Sequence, residues 1–146
     1  AEAADGLPLV VVGEGPLRRL LPQAAGFVPP AEIGAHYERA SIVVVPSRRE
    51  GYGMVAREAM AHGRPVVARG VGGVVDAVEA VVPGVLVPPR DAAALRAALE
   101  RLLGDAGLRR SLGAAARERG DRVGHLADVA RDPRPARDPR LDRMAR

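Results

Sequence analysis

Cysteine is absent from the 146 residues, which excludes a disulfide framework and any thiolate metal site. Lysine is absent as well, so all 22 basic residues are arginine; that uniformity reads as a coding bias toward high GC more than a selected surface. Aromatics are reduced to Phe27, Tyr37 and Tyr52, too few to stack successive bases. The net charge of +4 is half carried by residues 123–146, and elsewhere the signs are interspersed. Nucleic-acid binding is therefore not expected. No apolar run approaches the roughly 18 residues needed to cross a bilayer, so membrane association is not indicated. A basic-then-apolar leader is also lacking, and the expectation is a soluble cytoplasmic protein.

What is present is a chain of one-domain length, able to bury roughly two-thirds of its unfolded surface. Its apolar residues are mostly Ala, Val and Leu, the usual filling of parallel sheets covered by helices. Short apolar runs alternate with helix-like stretches. Leu9–Val12 reads as a buried strand that runs into Gly13-Glu14-Gly15-Pro16. A short helical stretch around Leu17–Gln23 and a brief strand at Gly26-Phe27-Val28 follow. A helix over Ala31–Ala40 is entered through Pro29-Pro30. Ile42–Val45, β-branched and closed by Pro46, is the strongest strand. After the loop Ser47–Gly51 comes a helix over Gly53–His62, ended by Gly63 as a left-handed cap.

Val66–Ala68 is the next strand, Gly73–Ala80 a short helix, and Gly84–Val87 a strand stopped by Pro88-Pro89. Asp91 should cap a helix over Ala92–Leu103 whose Leu95, Leu99, Leu102 and Leu103 make one apolar stripe. Asp105 should cap another over Ala106–Arg119, with Gly120 after it. This alternation predicts an α/β fold, a Rossmann-like parallel sheet with flanking helices. Residues 123–146 differ. Periodicity fades, and Asp132-Pro133-Arg134-Pro135 and Asp138-Pro139-Arg140 predict a disordered tail.

The segment from Pro46 to Met60 carries the chemistry. It lies just outside the carboxyl end of the best strand, where open parallel sheets bind ligands. Gly51 and Gly53 flank Tyr52, letting backbone approach a ligand closely. The following helix begins with unpaired N–H groups and a positive dipole end suited to phosphate. Glu50 precedes that helix and Glu58 lies more than a turn inside it, so their carboxylates could take hydroxyls at two places along an extended ligand such as a sugar or ribose. A bare glutamate pair eight apart is commonplace in a chain with nine of them. The surrounding Pro-Ser, Glu-Gly-Tyr-Gly, then helix is what gives the pair weight.

The run PSRREGYGMVAREAMAHGRPVVARGVGG resembles the donor-site motif of the retaining "group 1" glycosyltransferases, which have the two-domain GT-B fold. LVVVGEGP, GFVPPAEIGAHYERASIVVVPS and GVLVPPRDAAALRAALERLLGDAGLRRSLGAAARERG resemble the corresponding stretches in the same order, covering about residues 7–120. The resemblance implies a partial nucleotide-sugar-binding domain over residues 1–122. Glu50 would be the catalytic-site acid that contacts hydroxyls of the donated sugar, and Glu58 would hold the ribose. Amides around Gly51, Tyr52 and Gly53 would meet the sugar, and those of Met54 and Val55 the diphosphate. The backbone at Phe27 and Val28 would meet the base. The reaction so implied is transfer from a nucleotide-diphosphate sugar with retention, the leaving diphosphate helping to deprotonate the acceptor. No cofactor and no metal are expected.

Other features rank lower. Gly13-x-Gly15 has Arg18 where a dinucleotide fingerprint needs glycine, and reads as a plain turn. Gly70–Gly73 is either part of the sugar pocket or a tight strand-to-helix turn, and Asp76 stands where the family usually has Glu. The resemblance also implies what this sequence does not carry: an acceptor-binding domain, the donor domain's first strand and helix, and an aromatic C-terminal helix. Arg48 or Arg49 could supply the basic group that the absent stretch normally brings to the diphosphate. The chain alone is expected to be inactive, with marginal stability or a need for a partner strand. The alternative is a non-catalytic remnant or subunit that binds nucleotide-sugar only with another chain.

Overall fold

A computed structural model describes residues 4–16, 18–21, 23–79 and 84–122. The expected disordered tail over 123–146 lies outside them, as does Ala80 at the end of one expected helix. The elements run α1 (Pro30–Arg39), β1 (Val43–Val45), α2 (Met54–Ala61), β2 (Val66–Arg69), α3 (Gly73–Glu79), β3 (Gly84–Val87), α4 (Ala92–Gly104) and α5 (Ala106–Arg122), with a 3-10 turn at Arg18–Leu20 before them. The three strands are parallel in the order β1-β2-β3, with Val44 opposite Val67 and Val67 opposite Val85. This is the α/β, Rossmann-like arrangement that the alternation of elements predicts.

Side chains alternate across the pleat, and each face buries its own set. Val45, Val66 and Ala68 face a layer that includes Tyr37 of α1, Ala56, Ala59 and Met60 of α2, and Val74 and Val78 of α3. Val67 and Val87 face Leu95, Ala98, Leu99 and Leu102 of α4. Helix α5 spans both layers, with Ala116 in the first and Leu108 and Leu112 against the second. Helix starts follow the sequence: the Asp91 carboxylate accepts from the Ala94 amide at 2.8 Å and Asp105 accepts from Leu108 at 2.8 Å, each satisfying an otherwise orphan donor. At the end of α2, Gly63 N–H reaches the Met60 carbonyl and Arg64 N–H that of Ala59, the paired bonds of a Schellman termination.

Four expectations are corrected. Leu9–Val12 is not a buried strand: it forms no part of the sheet, and Leu9 and Val10 are 42% and 74% exposed. Its backbone bonds locally instead, Ala25 N–H to the Val11 carbonyl and Gly13 N–H to that of Gly26. Gly26-Phe27-Val28 is consequently loop, with Phe27 exposed. Leu103 leaves the α4 stripe at 36% exposure, because one residue past Leu102 turns about 100° around a helix of 3.6 residues per turn. Gly120 does not end α5, which runs on to Arg122. One glycine inside a helix costs only about 1 kcal/mol.

Among the described residues β1 pairs with β2 alone, so its other edge is unpaired. No helix among them is long and apolar enough to cross a membrane.

Candidate functional site

The turn between β1 and α2 has to reverse the chain within eight residues, and its own side chains hold it. The two Glu50 carboxylate oxygens are both engaged: one accepts from the Ser47 hydroxyl at 3.2 Å and the other from the Gly53 amide at 3.3 Å. Gly53 sits in the left-handed region at φ 75° and precedes α2 without any side-chain cap. The first-turn amides of Met54 and Val55 therefore have no partner among the described residues, while Arg57 N–H already begins the helical ladder on the Gly53 carbonyl. Orphan donors and the helix dipole make that spot positive.

A second turn braces the first. Gly73 N–H donates to the Glu50 carbonyl at 3.1 Å, so the loop opening α3 lies directly against the loop opening α2. Gly70–Gly73 is thus a strand-to-helix turn and also the floor under Glu50–Gly53. Arg69 contributes from the end of β2 by donating to the Pro46 carbonyl at 3.1 Å. Arg57 folds back over the loop: its guanidinium lies 4.5 Å from the Tyr52 ring centroid, and its Nε donates to the Tyr52 carbonyl at 3.2 Å. That geometry is a cation–π contact, and it brings a positive charge to the start of α2.

Glu58 stands five residues beyond Gly53, which at 1.5 Å per residue is about 7 Å along the helix. Helical side chains lean toward the N-terminus, so the Glu58 carboxylate leans back toward the uncapped turn. It is met from the other side by Tyr37, whose hydroxyl donates to Oε2 at 2.7 Å. The Tyr37 ring also stacks on His62, with centroids 5.3 Å apart and planes 27° apart.

Burial, reinforced by the hydrogen bond to Glu58 and its negative charge, pushes the Tyr37 phenol well above the usual tyrosine value. Its neutral form is therefore favoured in the folded chain. Stability from this pair is complete below pH about 10, where an ordinary tyrosine ionises, and declines as pH climbs past that point. Lysine and cysteine, which would titrate nearby, are absent. Tyr37→Phe is expected to flatten the alkaline fall in melting temperature, and equal slopes for the two proteins between pH about 9 and 12 would refute the assignment.

Of the residues expected in the site, Glu50, Gly51, Tyr52, Gly53, Met54 and Val55 form one continuous loop and helix start, with Glu58 a turn beyond. Gly51, Tyr52 and Val55 are open to solvent, whereas Gly53 is buried. Val28 lies apart in sequence, in the loop entering α1, and is half-buried. Arg48 and Arg49 are exposed. Sequence reasoning overlooked Tyr37 and Arg57. Tyr37 left one trace, a large aromatic on the inward side of an amphipathic helix. Among the described residues no cluster of three or more His, Asp or Glu is placed to hold a metal ion. A cavity of about 320 Å³ lined by Ser41, Arg64, Pro65, Arg109 and Gly113 opens at the opposite, amino end of the strands.

The profile of the family described as "Glycosyl transferases group 1" matches residues 1–105. A D-inositol 3-phosphate glycosyltransferase of Salinispora arenicola is 49% identical over 94 residues, which is 62% of this chain and 21% of that protein. Its namesake in Geodermatophilus obscurus is 50% identical over 101 residues, covering 64% and 22% respectively. Among solved structures, sucrose-phosphate synthase from Thermosynechococcus elongatus superimposes with a TM-score of 0.77 at 32% identity, over 98% of this chain and 40% of that one. Anabaena HepE in complex with UDP gives 0.75 at 22% identity, over 89% and 41%, a likeness of fold. The chain thus spans about a fifth of the curated relatives' length.

Proposed function

The chain belongs to the group 1 glycosyltransferases, and from that membership we propose that residues 1–122 are part of a domain that binds a nucleotide-diphosphate sugar for transfer with retention of configuration. The observation that carries this reading is the uncapped first turn of α2, flanked by two carboxylates at different depths. The amides of Met54 and Val55 would take the diphosphate, as helix N-termini take anions. Arg57, held over Tyr52, adds a cation at the same end. Glu58 would take the ribose diol, and Val28 would border the base.

Glu50 would contact hydroxyls of the donated sugar. In the free chain its carboxylate occupies the Gly53 amide, so sugar binding would exchange that bond for one to a hydroxyl and free the amide to join those of Gly51 and Tyr52 at the sugar. The acceptor would be held by an acceptor-binding domain beyond this chain. The leaving diphosphate, oriented by the helix amides, would help to draw the acceptor's proton. No metal or other cofactor enters this scheme.

Calorimetric titration of the chain with UDP, GDP and ADP tests the reading. One of them should bind, and Glu58→Gln should weaken it roughly ten-fold or more, the usual effect of losing hydrogen bonds to a charged group. Failure of all three to bind would overturn the proposal. Binding without transfer favours a donor-binding module that acts only beside another chain.

A further inference from the structure

Tyr37 lies 21 residues before Glu58 and outside the donor motif, yet it is the one buried residue of α1, at 7% exposure. Glu58 and His62 are four apart on α2 and so share a helix face. Tyr37 addresses both, its hydroxyl bonding to Glu58 and its ring stacking on His62. Packing in the same layer as Val45, Ala56 and Met60 leaves the ring little freedom. A carboxylate anchored by one oxygen in this way has a fixed plane. Its other oxygen, Oε1, has no hydrogen-bond partner among the described residues, since the bond from Tyr37 uses Oε2.

We infer that Tyr37 is a positioning residue that orients the Glu58 carboxylate toward a vicinal diol, and so makes this site prefer ribonucleotide over 2′-deoxyribonucleotide donors. The inference rests on the proposed donor-binding role of Glu58. A freely rotating carboxylate must be immobilised at the moment it binds, whereas an anchored one is already ordered, and the difference appears as affinity. Two adjacent hydroxyls use such an acceptor fully: one bonds to Oε1, and the other to the remaining lone pair of Oε2. A 2′-deoxyribose supplies a single hydroxyl and gains little from the fixed plane. Burial of Tyr37 also keeps its phenol protonated, and thus a donor, at any ordinary pH.

The test compares the binding of a nucleoside 5′-diphosphate and its 2′-deoxy counterpart to the full chain and to Tyr37→Phe and Glu58→Gln, with folding at the assay temperature checked by circular dichroism. Tyr37→Phe keeps the ring and its stacking. It should weaken the ribonucleotide about five-fold, the equivalent of one ordinary hydrogen bond, and leave the deoxynucleotide nearly unchanged. Glu58→Gln should abolish the preference altogether. A preference intact in Tyr37→Phe but lost in Glu58→Gln overturns the role of Tyr37 alone. A preference intact in both, or no binding by the unaltered chain, overturns the donor-site reading together with it. Should Tyr37→Phe not fold, 3-fluorotyrosine in a Tyr52→Phe background, where position 37 is the only tyrosine, takes its place. Its more acidic phenol must raise the preference above that of Tyr52→Phe, and no rise overturns the inference.

Discussion

Gly73→Ala is expected to lower stability by about 2–3 kcal/mol, the cost of forcing a methyl into a closed contact, and to remove nucleotide binding with it. A Cβ at this position would overlap the Gly51 carbonyl oxygen and stand 2.8 Å from the Tyr52 Cα and 2.9 Å from the Gly51 carbonyl carbon. All of these are backbone atoms. A flexible side chain could swing aside, but backbone yields only by moving the loop. That loop is Glu50–Gly53, so the same methyl would pull the Glu50 carboxylate and the start of α2 out of place. The neighbouring Gly72 adopts φ 50° and a Cβ there would meet the Glu50 carbonyl oxygen, so the two turns can approach only where both residues lack side chains. Thermal melting and calorimetry on the variant check both effects together. A melt within a degree or so of the parent protein would show that the turns are not interlocked.

Leu102→Ala should have the largest effect on stability, about 3–5 kcal/mol. Leu102 is 0% exposed and packs in the layer of Val67, Val87, Leu95 and Leu99. Removing its branched end leaves a hole that α4 and the sheet cannot both close around, because α4 is held at its start by the Asp91 cap and at its end by Arg109, which donates to the Leu102 carbonyl at 2.5 Å. Against a total of about 5–15 kcal/mol for a domain, such a loss brings the chain near its unfolding point at room temperature. Leu103→Ala is the matched control: at 36% exposure its truncation costs less than about 1 kcal/mol. Urea unfolding of the pair resolves the contrast. Equal midpoints would mean that α4 presents a different face to the sheet.

The sequence made some of this architecture legible and hid other parts for a physical reason. Val43–Val45 and Val66–Arg69 were readable because β-branched runs bounded by Pro, Ser or Gly leave few alternatives to a buried parallel strand. Caps at Asp91 and Asp105 were readable because capping is decided within four residues. Leu9–Val12 has an equally strong local pattern, yet it stays out of the sheet. A strand is defined by its neighbour, and this segment finds its bonds at Ala25 and Gly26. The site divides in the same way. Glu50, Gly53 and Glu58 announce themselves within nine residues. The brace from Gly73 and the anchor from Tyr37 arrive from 20 or so residues away, and nothing local distinguishes them from an ordinary turn glycine and an ordinary core aromatic.

Among the described residues the sheet stops at Val43–Val45, three valines with no charged side chain among them and one flank without a pairing strand. Natural sheets usually blunt such a border with lysine, proline or a bulge, because any extended peptide can dock there rung by rung. Here no described residue pairs with that border. Self-association through it would depend on how crowded the molecules are, which makes protein concentration a variable of state alongside temperature and pH. Melts and isotherms of this chain therefore compare with one another only at matched dilution.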